Sequence, residues 1–318
     1  MSFRPTFQKD AEKIFMPNQE VGGILKSNAT TFADNMKLPV HRWYRYSAGY
    51  SAEWAGSLMR HWGVKNVLDP FGGSGTTVLS AQEQGINAYG VDVHPFVSKI
   101  AKAKLAWDVD ITELRECFNH VISSAAKRKL VSIPSSPLAK KCFPDDDVFH
   151  DLLKIRDGVL ELDQCLPISK LVWLAFVGII RATSPAGTAQ WQYILPNRTK
   201  SKTVPPSFAF QKNMDIFISD IKARKSFDLK KELELGVVEG DSKSLSVIPD
   251  GWADAIITSP PYANNYDYAD ATRFEQIILG DIEGWSDLKG LRKLLVKSAT
   301  QNLSGWKSEE YLESSELS

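Results

Sequence analysis

Between Val64 and Asp92 the chain leaves itself few folds to choose from. A short apolar run, Val64–Leu68, enters the segment Asp69-Pro70-Phe71-Gly72-Gly73-Ser74-Gly75-Thr76-Thr77. Val78 to Gln84 then reads as a helix closed by Gly85, and Ala88 to Val93 is a second strand-like run with an acid, Asp92, near its end. Strand, glycine-rich turn, helix, strand and acid together make the first half of a nucleotide-binding α/β sheet. Phe96–Leu105 extends it with a second helix. Upstream, Ser51 is a suitable N-cap, and Trp54, Leu58 and Trp62 recur at helical spacing, which predicts a helix ending at Gly63.

The turn carries chemistry as well as shape. Gly72, Gly73 and Gly75 let the backbone bend tightly and approach a ligand closely. The helix that follows offers free backbone N–H groups, suited to a phosphate or to the carboxylate of an amino acid. No lysine follows Gly75, so this is not a Walker A loop, and the spacing is not the G-x-G-x-x-G of dinucleotide sites. Asp69 at the strand end repels phosphate and welcomes an ammonium group. A ligand bearing both ammonium and carboxylate, such as S-adenosylmethionine, therefore fits better than a nucleotide; the bland alternative is a tight turn of any α/β fold. Asp92, about twenty residues further on, suits the hydroxyls of a ribose, although a solvated acid at a strand end is common. Asp241 ends a later strand, Gly236–Asp241, and fits equally a bound adenine or the cap of a following helix.

From Asp108 to about Leu235 the βαβ rhythm stops. Ile111–Lys129, Asp145–Leu162 and Ile168–Thr183 read as helices, and Ser135-Ser136-Pro137 and Pro205-Pro206 read as breaks. A connection of this length is a domain-sized, mainly helical insertion. Leu195–Lys231 holds nine Lys/Arg against three Asp, and Trp191, Gln192, Tyr193, Asn197 and Arg198 are residue types that contact phosphates and bases. The segment is therefore read as target recognition, against a structural insert with a solvated charged face. The chain divides into 1–107, 108–235 and 236–318. His120 and His150 are isolated, and Cys142 and Cys165 read as inert.

The last strand, Ala253–Thr258, runs into Ser259-Pro260-Pro261-Tyr262. Two prolines stiffen the backbone there and remove two N–H donors. A hydroxyl beside a carbonyl can accept both hydrogens of an exocyclic amine, and Tyr262 can stack on a flat base. A proline-rich turn with a core tyrosine is the bland alternative.

Composition narrows the partners. Lys+Arg and Asp+Glu number 38 each, which excludes a uniformly basic nucleic-acid coat protein but not a local basic face. Three cysteines without C-x-x-C spacing give no disulfide framework and no zinc site, and suit a reducing, cytoplasmic home. No secretory signal shows at the start. The longest apolar stretch, Leu171–Ile180, falls well short of the ~20 residues of a membrane span.

Taken together, the D-P-F-x-G-S-G-T-T run at Asp69–Thr77 and the T-S-P-P-Y run at Thr258–Tyr262 resemble the DNA amino-methyltransferases. The run Ala263–Asp270 and the aromatic segment with His41, Trp43 and Tyr44 are similar to that family too. The resemblance implies a Rossmann-like class I methyltransferase sheet and double-stranded DNA as partner. It also implies methyl transfer from S-adenosylmethionine to the exocyclic amine of a flipped base. It places Asp69, Phe71, Gly72, Gly73, Gly75, Thr76, Thr77, Asp92 and Asp241 at the cofactor, and Ser259, Pro260, Pro261 and Tyr262 at the reacting amine. A serine opening the catalytic motif leans toward N4 of cytosine over N6 of adenine. Cytosine C5 methylation is rejected, because none of the three cysteines follows a proline as its nucleophile does.

One departure stands out. Beyond Tyr262 the chain reads as helix (Thr272–Leu279, Leu288–Ser298) and polar coil, so the expected sheet lacks its last strands. Three explanations are expected to compete: a fragment of a longer enzyme, one half of a split enzyme completed by a second polypeptide, and, less favoured, an edge closed by self-association. The reading of a different class is a non-catalytic subunit that binds cofactor or DNA and regulates a partner.

Overall fold

The computed structural model describes residues 32–46, 49–129, 132–188, 194–200, 202–226, 232–261 and 267–295. Four parallel strands form the central sheet: β1 (Asn66–Asp69), β2 (Asn87–Asp92), β5 (Leu235–Glu239) and β6 (Ala255–Ile256). Their spatial order is β5-β2-β1-β6, so the chain starts in the middle, runs to one edge and returns to the other. Alternate residues face opposite sides, as a strand dictates. Val67, Ala88 and Val237 join one core cluster; Leu68, Val91 and the half-buried Tyr89 and Val238 join another.

The first of these faces is covered by helices α1 (Ala52–Trp62), α2 (Thr76–Gln84) and α3 (Pro95–Leu105), which contribute Leu58, Met59, Val78 and Ala101 to the cluster. Each helix starts or stops on a local signal. Ser51 accepts a hydrogen bond from Trp54 N (3.2 Å) at the start of α1, and Gly63 and Gly85 close α1 and α2 in the left-handed conformation. The opposite face carries the smaller cluster, with Ile248, Leu245 and Trp252 from the loop between β5 and β6. Beside it, Ile256 of β6 is 59% exposed, and among the described residues no strand follows or pairs outside it.

The largest core belongs to the helical part: α4 (Ile111–Lys127), α5 (Pro137–Cys142), α6 (Asp146–Leu160), α7 (Pro167–Thr183) and α8 (Pro206–Lys225). It is continuous with α3, with residues 40–44 and with α9 (Arg273–Leu279), so apolar packing crosses both sequence boundaries at 107/108 and 235/236. The short 3-10 turn His41–Trp43 is pinned to α8. Trp43 stacks on Phe217 with ring centres 4.0 Å apart, and the buried Asp220 accepts from Val40 N, the Arg42 guanidinium and Trp43 Nε1. Beneath this turn the buried Lys104 donates to the His41 carbonyl (3.2 Å), and burial pushes its ammonium down to about 7.

Element positions agree with the sequence pattern to within a few residues for all four sheet strands and for seven helices. Four features differ. Ser135-Ser136-Pro137, read as a break, opens the short helix α5, because the Ser136 hydroxyl accepts from Ala139 N (3.1 Å) and proline suits the first helical position. Pro205-Pro206, read as a break, opens the 20-residue helix α8, because proline at the first helical position loses no needed N–H. A small antiparallel ladder, β3 (Ala186–Thr188) with β4 (Ile194–Thr199), also appears where no strand was expected. The last helix, α10 (Trp285–Leu294), begins before the expected Leu288, because the Asp287 carboxylate accepts the N–H groups of Glu283 (2.9 Å) and Gly284 (3.0 Å). No described helix is long and apolar enough to cross a membrane.

Candidate active site

An open cleft of about 840 Å³ lies at the carboxyl ends of the strands, where ligands of open α/β sheets bind. It gathers residues far apart in sequence: Phe71, Gly72, Gly73, Ser74 and Thr76 from the turn after β1, Asp92 at the end of β2, Asp241 after β5, and Ser259 and Pro261 after β6.

Asp69 sits beneath the cleft rather than in it, 1% exposed. One carboxylate oxygen accepts from Phe71 N (3.1 Å) and the Thr258 hydroxyl (2.6 Å); the other accepts from the Thr77 hydroxyl (2.6 Å) and Tyr50 OH (3.3 Å). The Thr77 hydroxyl also reaches the Ile257 carbonyl (3.1 Å). Burial raises the Asp69 carboxyl, against the lowering effect of these donors. Its geometric effect is to fasten the glycine-rich turn to the residue immediately before Ser259.

Gly72 donates to Val91 O (2.8 Å), and a Cβ at Gly72 would stand 3.2 Å from the Gly90 backbone, so the turn and β2 approach as only glycines allow. Gly75 lies behind the cleft at φ +87°, where it opens α2 against Ala101. Thr77 likewise points into the interior.

Asp92 lines the cleft, and its two oxygens accept from Gly73 N (2.8 Å) and His94 N (2.8 Å). Burial pushes its carboxyl up to about 6, with a smaller contribution from the nearby Asp69. Asp241 closes a tight local turn, accepting from Lys243 N (3.0 Å), with the Lys243 ammonium 3.8 Å away. Ser259 and Pro261 are half-buried in the cleft and Pro260 is exposed at its rim. Tyr262 lies outside the described residues, as do Trp191, Gln192 and Tyr193; Asn197 and Arg198 fall on β4.

The cleft is also lined by Tyr46, Tyr50, His94 and Tyr268, which the sequence alone did not assign to a site. The Tyr46 ring covers Gly73, 3.3 Å from where a Cβ would stand. The His94 ring is buried, 3.0 Å from the Thr272 hydroxyl, and burial pushes it down to about 4, so it is neutral at physiological pH. The aromatic density before Ser51 and the histidine two residues after Asp92 were the available signals. Cys142 and Cys117 are poor candidates for nucleophilic chemistry: Cys142 is buried and its thiol is pushed up to about 12, and burial raises Cys117 as well.

Known proteins give this cleft a context. A family model described as DNA methylase matches residues 64–103, the span from β1 to α3. A type II methyltransferase of Geobacillus stearothermophilus, M.BsoBI, is 24% identical over 332 aligned positions, covering 95% of this chain and 64% of its own length. M.AvaI of a Nostoc species is 23% identical over 326 positions, covering 93% and 65%. M.MjaII of Methanocaldococcus jannaschii reaches 45% identity over 60 residues, 19% of this chain. The chain thus spans a little under two thirds of the length of the first two relatives. No solved structure matches it. Across most of its length, and over the turn-bearing residues 64–103 by a family model, the chain resembles the DNA amino-methyltransferases.

Proposed function

We propose that this chain is the catalytic part of an S-adenosylmethionine-dependent DNA methyltransferase that modifies the exocyclic amine of a flipped base, N4 of cytosine before N6 of adenine. The observation that carries this reading is the Asp69–Thr258 hydrogen bond, which fastens the glycine-rich turn to the strand end bearing Ser259. One cleft thereby presents a nucleotide-type shelf on one wall and amine acceptors on the other.

The residues present suit the cofactor. Asp92 is a half-buried carboxylate that lines the cleft and already accepts two backbone N–H groups, and its remaining acceptor capacity suits two ribose hydroxyls. Phe71, Gly72 and Gly73 line the same cleft as Asp92 and Ser259, and Asp241, which also lines it, would accept from an adenine amine. Asp69, Gly75 and Thr77 act one layer behind, by holding the turn. When bound, S-adenosylmethionine supplies an electrophilic methyl on its sulfonium.

The chain's own part is to prepare the amine. The lone pair of a base's exocyclic nitrogen is delocalised into the ring, which makes it a poor nucleophile. The Ser259 hydroxyl and the Pro260 carbonyl accept its hydrogens and localise that pair toward the incoming methyl. Tyr262 stacks on the base, a contact worth ~1–3 kcal/mol. Alignment of amine and methyl supplies much of the remaining acceleration.

Residues 108–235 are assigned to target recognition, with 1–107 and 236–318 supplying the catalytic sheet. The exposed edge at Ile256 supports a sheet of the class I methyltransferase type that takes up further strands, from a longer chain or from a second polypeptide. The same edge favours the second reading, a non-catalytic subunit that binds cofactor or DNA and regulates a partner.

Labelled S-adenosylmethionine, unmethylated duplex DNA and nucleoside mass spectrometry test both. Labelled N4-methylcytosine is the expected product, and labelled N6-methyladenine corrects the base. Absence of label, with cofactor binding intact, favours the dependent subunit.

A further inference from the structure

Beyond Ser259–Pro261, residues 267–295 form an arm that returns to the cleft and lines it with Tyr268, Leu294 and Leu295. The arm is braced within itself by Arg292, whose Nε donates to Asp267 Oδ2 (2.6 Å). On the sheet side it is held by the His94–Thr272 contact. From the helical part, Arg156 of α6 reaches the Ile278 carbonyl (3.1 Å).

The strongest tie runs through Arg181, in the last turn of α7. Its Nε donates to Glu275 Oε1 (2.8 Å) and its Nη2 to Glu275 Oε2 (3.1 Å). The same guanidinium reaches the Ala271 carbonyl and lies over the Phe274 ring, 4.7 Å from its centre. Glu275 is 1% exposed and Arg181 17%, so this is a two-pronged ion pair largely out of water. Taking away the guanidinium removes the paired positive charge of a buried carboxylate and the donors that tie α7 to the arm.

Arg181 also belongs to a second structure through its backbone. Lys200, at the end of β4, donates through Nζ to the Arg181 carbonyl and to the Ser184 carbonyl (3.0 Å), while its N–H donates to Pro185 O (2.8 Å). A two-stranded ladder is marginal by itself, and the root of this one is clamped at the residue whose side chain holds the catalytic arm.

We propose that Arg181 is a positioning residue that couples duplex DNA bound by the helical part and its β3–β4 ladder to the arm walling the catalytic cleft. The coupling rests on the methyltransferase reading above. A ladder displaced by DNA moves the Lys200 clamp, the clamp moves the last turn of α7, and the Arg181 fork carries that shift to Ala271 and Glu275.

The test uses the full chain as wild type, Arg181→Gln, Arg181→Lys, Lys200→Met and the Arg181→Gln/Lys200→Met double variant. Three quantities are read: hydrogen exchange of residues 267–280 with and without duplex DNA, cofactor affinity, and the single-turnover transfer rate. Wild type is expected to show slower exchange in the arm when DNA is added. Arg181→Gln should lose that response and transfer methyl about tenfold more slowly, with cofactor affinity within about twofold. Arg181→Lys, which keeps charge but not the fork, should fall between. Lys200→Met should weaken the same response, and the double variant should be no worse than Arg181→Gln, since both act on one path.

An unchanged DNA response in Arg181→Gln, or additive losses in the double variant, overturns the coupling. If Arg181→Gln does not fold, Lys200→Met decides, and an unaltered response there overturns it too. A wild type that neither binds duplex DNA nor transfers methyl overturns the wider reading along with this one. A wild type that does both while the variants respond normally overturns this one alone.

Discussion

The two walls of the cleft are built in opposite ways. The glycine-rich wall is local: Asp69 reaches Phe71 and Thr77, and Asp92 reaches Gly73 and His94, within twenty residues of chain. The Ser259 wall is assembled from a distance, by Asp69 to Thr258, by Arg181 to Glu275 and by His94 to Thr272, across 94 to 189 positions. The first wall can form almost as soon as β1 and β2 pair. The second exists only after the helical part has packed. The glycine-rich wall therefore rests mainly on local contacts, while the placement of Ser259 depends on the rest of the molecule.

The sharpest way to separate the walls is Ser259→Ala. Transfer should fall at least about a hundredfold, the scale of losing a positioned acceptor in a catalytic site, while cofactor affinity measured by calorimetry stays within about twofold. An equal loss in affinity means that the walls do not divide the work.

Asp92→Asn probes the other wall. It should weaken cofactor binding about tenfold, since an amide replaces an anionic acceptor. The wild-type affinity should itself fall as pH drops below about 6, because the carboxylate that accepts ribose hydroxyls must be ionised. The asparagine variant should be flat over that window. A wild-type profile with no break near 6 removes Asp92 from the cofactor site.

Thr258→Val cuts the bond between the walls and leaves buried Asp69 one donor short. A loss of ~1–3 kcal/mol in unfolding free energy is expected by urea titration, together with slower transfer. Gly75→Ala is the mildest change. At φ +87°, with Ala101 3.1 Å from the new Cβ, it should cost ~1–2 kcal/mol and leave transfer chemistry intact once the protein is folded.

The same contrast explains what could be read in the sequence. The first wall was legible because its residues are neighbours with type-specific jobs: glycines at a turn, an acid at a strand end. The four sheet strands were legible from apolar runs. Helix α8 was not, although Ala209, Phe210, Met214, Phe217, Ile218 and Ile221 recur at helical spacing, because Pro205-Pro206 reads as a break and the basic charge as a phosphate-contacting surface. The roles of Arg181, Glu275 and Thr272 left no local trace. An arginine near a helix end and a glutamate in a short helix are ordinary until the fold brings them together.

Lys104 bears on how the protein responds to alkali. Its ammonium titrates near 7 in the folded chain against an ordinary 10.5, so between these values the unfolded chain holds the extra proton. Wyman linkage then makes folding more favourable as pH rises, by ~1.4 kcal/mol for each unit from this one group, levelling off above the unfolded value. Below pH 7 both states are charged and the full desolvation cost persists. Melting temperatures recorded from pH 7 to 9 should climb in wild type and lose that slope in Lys104→Met.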